Sequence, residues 1–277
     1  MAELTPDRLT VAYMAQVAAI RNRVLSYAVA MWGSSASLRN ADVDRLIARI
    51  VPVVRGGQLQ VAGVTNAYVA QLAKLEGVAA VLAPVDRATV AEYRGVPAEE
   101  VYRRPAVTTY TALKDGKPFS TAREEGIQRL KSLVTTDVQQ ARNRQAREAY
   151  SASGFDYTVR TLSGSENCAL CVIASTQRYH AAGLMPIHPG CDCGERGVRA
   201  GRDPGQVIDQ RLLDLTYEQV DAKLASADQS PDLASKKTST GKPISDLTDL
   251  LVTHQHGELG ATLAWRQDSF TGPSDLH

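Results

Sequence analysis

Cysteine is scarce and confined, with four in 277 residues. All four lie between Cys168 and Cys193. A disulfide framework spreads its cysteines along the chain, so this clustering argues against one and favours a metal. Aromatic side chains are thin at 5%, and alanine is abundant, which points to helices packed closely through small side chains. No apolar run reaches the roughly 20 residues that span a bilayer. Met1 leads straight into polar, charged sequence with no secretory pattern. The expectation is a soluble chain of a reducing compartment with no membrane partner. Neither sign of charge dominates, yet the distribution is uneven. Residues 203–277 carry 6 basic and 12 acidic side chains, and the remainder carries 25 and 18. A mildly basic body with an acidic tail suits contact with a polyanion or an acidic partner, and is also common in proteins with neither role.

The first 150 residues read as successive helices. Thr5-Pro6-Asp7 combines an N-cap hydroxyl, a proline at the first helical position and an acid at the positive dipole end. Leu9, Tyr13, Val17, Ile20, Val24, Tyr27 and Met31 follow at helical spacing, and Gly33 closes the run. A second helix starts near Asn40 with Val43, Leu46, Ile47 and Ile50 on one face, and Pro52 should kink or end it. Gly56-Gly57 is expected to break the chain before a third helix carrying Val61, Val64, Tyr68, Leu72 and Leu75. The apolar stretch from Val78 to Tyr93 is expected to form a fourth, broken near Pro84. Pro97-Ala98-Glu99-Glu100 marks another start, Pro105 an interruption, and Asp115-Gly116-Lys117-Pro118 a turn. Thr121 and Glu124 have capping-box spacing ahead of a long helix with Ile127, Leu130, Val134, Val138 and Ala141 on its apolar face. Its other face, with Arg129, Arg142, Arg144 and Arg147, reads as solvated.

Character changes after Tyr150. Tyr157 to Leu162 has strand composition. The cysteines follow in the pattern Cys168-x2-Cys171, sixteen residues, then His188-x2-Cys191-x-Cys193. A Cys-x-x-Cys on a tight turn directs both sulfurs into one tetrahedron, and His188 with Cys191 can close the second chelate loop. Zinc takes four such donors, and a site filled by protein ligands leaves no position for water. Five candidates for four positions leave one spare, and spacing does not choose it. No His-Glu-x-x-His pattern accompanies the cluster, so structural zinc is favoured over catalytic zinc. Thr216 and Gln219 cap a short helix. Residues 226–245 form a polar linker, and the last thirty hold too little apolar sequence for their own core. The expected fold is mainly α: a helical domain over 1–150, a zinc-stabilised α+β module over 151–202, and 203–277 as short helix, linker and extended docking tail.

Asn167 to Ser175, Gln177-Arg178-Tyr179 and Leu184 to Cys193 resemble the zinc motif of phage Mu F-like head morphogenesis proteins, in the version carried by phages of actinobacteria. Glu100 to Pro105, Gly126 to Asp137, and the tail segments His256 to Gly260 and Phe270 to Pro273 look like that group too. The likeness covers most of the chain from about Val96. Asp192 departs from the basic residue often found there, which puts any nucleic-acid contact at that position in doubt. The resemblance implies a non-enzymatic minor capsid protein of the virion, assembled in the host cytoplasm. Its implied partners are portal or the major capsid protein, with non-specific contact to packaged DNA open to it.

Two other readings stand beside this one. Relatives are often labelled capsid maturation proteases, but no nucleophile, base and orienting acid stand out here. His188 is claimed by the metal, and His254-Gln255-His256 reads as a surface loop or assembly contact. A zinc-braced DNA-binding protein is the third reading, with Arg160, Arg178, Arg196, Arg199 and Arg202 as candidate phosphate contacts.

Overall fold

Among the described residues the chain forms six helices and five strands. The computed structural model describes residues 4–35, 37–162, 174–175, 178–180, 193–201, 251–256 and 260–265. The chain divides into two units, 1–154 and 155–277, and is mainly helical. The expected boundary at residue 150 falls inside the last turn of a helix that ends at Ala152. The expected short helix at Thr216 and the 226–245 linker lie outside the described residues. No helix among the described residues is long and apolar enough to cross a membrane.

In the first unit α1 spans Pro6–Ser34, and the Thr5 hydroxyl accepts from the Arg8 amide at 3.3 Å as expected of the N-cap. Its buried stripe runs Leu9, Tyr13, Val17, Ile20, Val24, Ala28 and Trp32. The last carbonyls of α1 have no basic residue of their own in the final turn. Arg123 supplies the cation from far along the chain: its Nη2 donates to the carbonyls of Trp32 (3.0 Å), Gly33 and Ser35 (2.9 Å), where the helix dipole is negative.

The next helix corrects the sequence reading. α2 is a single helix over Asn40–Glu76, running through both Pro52 and Gly56-Gly57. Pro52 cannot donate to the carbonyl four residues back, but Ala48 and Pro52 both lie on the exposed side, where the lost bond costs less than in the core. Ile50, Val51 and Val54 on the other side are buried in the core. Gly57 is where α1 approaches, because a Cβ there would overlap the Val24 side chain. α1 and α2 are further locked by Tyr13 and Tyr68, whose rings stack at 4.1 Å. Each phenol reaches a threonine of the other helix, Tyr13 with Thr65 and Tyr68 with Thr10, both at 2.9 Å.

The expected fourth helix from Val78 is mostly irregular chain. Asn66 donates to the Ala83 carbonyl at 2.6 Å and accepts its amide at 3.1 Å, and Gln145 donates to the Pro84 carbonyl at 3.4 Å. Side-chain amides thus replace the hydrogen bonds a helix would have given this backbone. Only α3, Arg87–Ala91, forms, capped by Asp86. The Thr89 hydroxyl and amide hold the Asp86 carboxyl below its ordinary value.

α4 spans Ala98–Val101 and α5 Arg104–Lys114; Pro105 sits in the first turn of α5, so it opens that helix and does not interrupt it. Gly116, with φ of 82°, makes the turn into α6, Phe119–Ala152. α6 begins two residues before Thr121, and no side chain caps it. It packs against α1, α2, α3 and α5, and every residue from Thr136 to Asn143 is buried. The solvated basic face expected there is therefore only partly present. Arg129 and Arg147 are exposed, whereas Arg142 is buried against Asn143 Oδ1. Arg144 lies 4.7 Å over the Tyr93 ring.

The second unit holds β1 (Tyr157–Thr161), β2 (Arg178–His180) and β3 (Gly194–Val198), antiparallel in the order β2-β1-β3. β4 (Leu251–His256) and β5 (Gly260–Trp265) form a separate antiparallel pair. His254 and His256 stand on β4, opposite Thr262 and Gly260, and not in the surface loop expected of them.

Two glycines offer opposite tests of this packing. A Cβ on Gly126 would overlap the Thr109 hydroxyl and lie 2.9 Å from the Pro105 carbonyl, which is backbone and cannot yield cheaply. Gly126→Ala is expected to lose about 1–3 kcal/mol through overpacking, despite alanine's helical advantage. Gly56→Ala meets nothing within 4 Å and is expected to gain about 0.5–1 kcal/mol. Urea unfolding midpoints moving in the same direction for both would contradict the α5–α6 contact.

Candidate functional site

Two places concentrate polar chemistry, one in each unit. In the first, the connection from α3 to α5 folds over a single acid on α6. Asp137 Oδ1 accepts from the Tyr93 hydroxyl at 2.8 Å and from Arg94 Nε at 3.0 Å, and Oδ2 accepts from the Tyr102 hydroxyl at 2.8 Å. Gln58 of α2 donates to the Asp137 carbonyl at 3.5 Å and to that of Val90 at 3.3 Å. A cavity of about 310 Å³ opens beside this cluster, with Val51, Val54, Arg55 and Val101 among its walls. Its carboxylate is held by three donors from one connecting segment. That is the arrangement of an anchor, not of a base waiting for a substrate proton. The segments Glu100 to Pro105 and Gly126 to Asp137 meet here, through Tyr102 on Asp137 and Pro105 on Gly126.

The second place is the inward face of the three-stranded sheet. Strand side chains alternate between faces, and a half-buried strand ordinarily turns its apolar residues inward. β1 does the reverse. Thr158 and Arg160 are buried at 0% and 5% exposure, while Val159 between them is only half-buried. Arg160 pairs across the sheet with Glu195, 1% exposed, and Cys193 lies two residues earlier on the strand side of Glu195. Arg160 Nη1 donates to Cys193 Sγ at 3.6 Å, and Cys193 is itself 2% exposed. The Tyr179 ring of β2 lies 5.2 Å from the guanidinium carbon, and its hydroxyl donates to the Ala174 carbonyl at 3.0 Å. Burial works against the Arg160 cation, but Cys193, Tyr179 and Glu195 outweigh it and move its pKa up.

Of the five expected metal ligands, the described residues include Cys193 alone; Cys168, Cys171, His188 and Cys191 lie outside them. Among the described residues no group of three His, Cys, Asp or Glu is placed to hold a metal. Cys193, with its sulfur buried beside Arg160, is of a type that can ligate a metal, and the other expected donors lie outside the described residues. Of the arginines expected to contact DNA, Arg160 is buried and directed at Cys193, Arg196 is half-buried, and Arg178 and Arg199 are exposed. Sequence reading missed the partnership of Arg160 and Glu195. The pairing depends on strand register, since Arg160 opposes Glu195 across the sheet, and nothing local to either residue marks it.

Asp137 sets an alkaline limit on the first unit. Burial first, and the Asp137 charge second, push the Tyr93 and Tyr102 phenols well above their ordinary value of 10.0. The folded chain keeps protons that the unfolded chain releases. The stability these groups confer is therefore full below about pH 10 and falls as pH climbs further. Phenolate absorbance of the wild type, less that of a Tyr93→Phe/Tyr102→Phe variant, is expected to rise only with loss of helical circular dichroism. Reversible ionisation near pH 10 with helices intact would refute the buried cluster.

No protein-family model, curated protein or solved structure matches the chain.

Proposed function

We propose that this chain is a non-enzymatic minor capsid protein of a tailed bacteriophage, of the Mu F-like head morphogenesis kind. In this reading it docks on portal or the inner capsid surface and aids head assembly, DNA packaging or delivery. The observation that carries the reading is the Cys168-x2-Cys171…His188-x2-Cys191-x-Cys193 motif, the basis of the resemblance, whose last sulfur is buried against Arg160. The long helices of the first unit support an interaction role, with Val107, Tyr110 and Phe119 exposed at 54, 40 and 50%. The engagement of Asp137 by Tyr93, Arg94 and Tyr102 also favours a scaffold over a hydrolytic site.

Zinc is the proposed cofactor and its role is structural. Cys193 and partners drawn from Cys168, Cys171, His188 and Cys191 would hold it. When bound, the ion supplies a cross-link between distant parts of the second unit, and metal binding then contributes directly to folding. β1, β2 and β3 have five, three and five residues, so the sheet offers little apolar area to stabilise itself.

Two outcomes follow. Elemental analysis of untagged protein should give one zinc per chain, and a chelator at moderate temperature should unfold residues 155–200 while the helical signal of the first unit persists. A metal-free chain with its sheet intact in chelator would end the zinc reading. Co-expressed with its portal protein, the chain should co-purify with it. Monomeric behaviour beside portal, with no complex at micromolar concentrations, would end the capsid reading.

A further inference from the structure

Anchoring Asp137 does not require an opening, yet a cavity of about 310 Å³ lies beside it. We propose that this cavity is a binding site for a small monocarboxylate with an apolar body, and that Arg55 of α2 pairs with its acid group. Every wall belongs to the first unit, so binding here stands apart from the zinc and capsid readings.

Protein interiors leave few voids larger than a water molecule, and this one reaches the lower end of small-molecule sites, about 300–1,000 Å³. Its walls divide by chemistry. Val51, Val54 and Val101 are each exposed by 2% or less and offer the cavity apolar surface. Val96 and Ala98 are half-buried beside them. On the polar side, most groups are already engaged. Tyr93, Arg94 and Tyr102 all donate to the Asp137 carboxylate. Gln58 donates to the Val90 and Asp137 carbonyls. The charges of Arg94 and Asp137 offset each other, so neither calls for a ligand.

Arg55 differs from them. A guanidinium carries five N–H donors in a fixed fork. The Arg55 Nε is buried without an acceptor, and Nη1 stands 3.6 Å from Glu99 Oε1, too long for a hydrogen bond. The Glu99 side chain is 55% exposed, so water competes for this ion pair and its contribution is small. The Arg55 side chain is itself only 25% exposed. Much of a charged group is thus withdrawn from water with its donors poorly met, which is costly unless an acceptor enters. A carboxylate accepts two parallel bonds from such a fork, and an apolar body behind it would cover the three valines. Glu92 and Asp137 also line the cavity, and their charge favours a monoanion over a phosphate carrying more than one.

The full-length chain, labelled at its valine methyls, is titrated with benzoate and hexanoate, with their neutral amides, and with inorganic phosphate. Both acids are expected to shift the methyl resonances of Val51, Val54 and Val101 saturably, with a Kd of about 1 mM or tighter. The amides should bind more weakly, and phosphate should leave the three valines unmoved. Arg55→Gln is expected to weaken benzoate by about 10–100-fold and to leave benzamide unchanged. Arg55→Lys, which keeps the charge and loses the fork, should recover part of that loss. Ala98→Leu narrows the cavity with Arg55 in place, and should weaken acid and amide alike. Should a variant fail to fold, the wild-type titrations decide alone. No saturable shift of these valines by either acid up to about 10 mM, equal affinity for acid and amide, or saturation by phosphate would overturn the assignment. Wild-type benzoate affinity in folded Arg55→Gln would overturn it as well.

Discussion

The helical unit is organised about one buried carboxylate. Asp137 sits on the central helix with no solvent face, and three donors converge on it from a segment that would otherwise be an irregular connection: Tyr93, Arg94 and Tyr102. Removing a buried ion from water costs several kcal/mol unless its lone pairs are met, and here both oxygens are met. The consequence is mutual. The acid is tolerable in the core only because the 92–102 connection folds over it, and that connection has a defined path only because the acid is there. Through Gln58, the same position of α6 is also tied to α2, so the longest helices and the least regular stretch share one anchor.

Around that anchor the packing is of the close kind that scarce aromatics imply. Gly57 lets α1 approach α2, and Gly126 lets the start of α5 approach α6. The large residues present are used where they also make hydrogen bonds. Tyr13 and Tyr68 stack and reach threonines on opposite helices, which fixes the axial register of two long helices that apolar contacts alone would leave free to slide.

Much of this was legible in the sequence, and what was not shares a cause. The start of α1 at Thr5-Pro6-Asp7 and the buried series Leu130, Val134, Val138 and Ala141 are local signals, read over one or two turns, and they stand. The continuity of α2 was not legible. The cost of Pro52 is local, whereas the gain that outweighs it comes from Val24 and the core on another helix. The irregular path of residues 77–86 was hidden for the same reason, since Asn66 and Gln145 supply its hydrogen bonds from 17 and 61 residues away. Arg142 and Arg144 looked solvated because charge was taken as a surface marker; one is buried on Asn143 and the other lies over Tyr93. Of the five donors that spacing suggested, the described residues include Cys193 alone, and the place of Arg160 beside it was not legible. Arg160 reads as a phosphate contact until register places it opposite Glu195.

The two units therefore rest on different physics. The first has an extended apolar core, with Trp32, Ile50, Leu130 and Val134 almost wholly excluded from water, and its polar anchor lies within that core. The second has short strands whose inward side chains include Thr158, Arg160 and Glu195, residues that lower the hydrophobic contribution instead of raising it. Hydrophobic burial is non-directional and tolerates small shifts, whereas a charge-compensated sulfur has one useful position. A unit built on the first can present broad helical faces to a partner without losing its fold. A unit built on the second holds a few atoms in place at the expense of intrinsic stability, which anything that binds the folded state would offset. The zinc proposed for this unit would supply such a binding contribution.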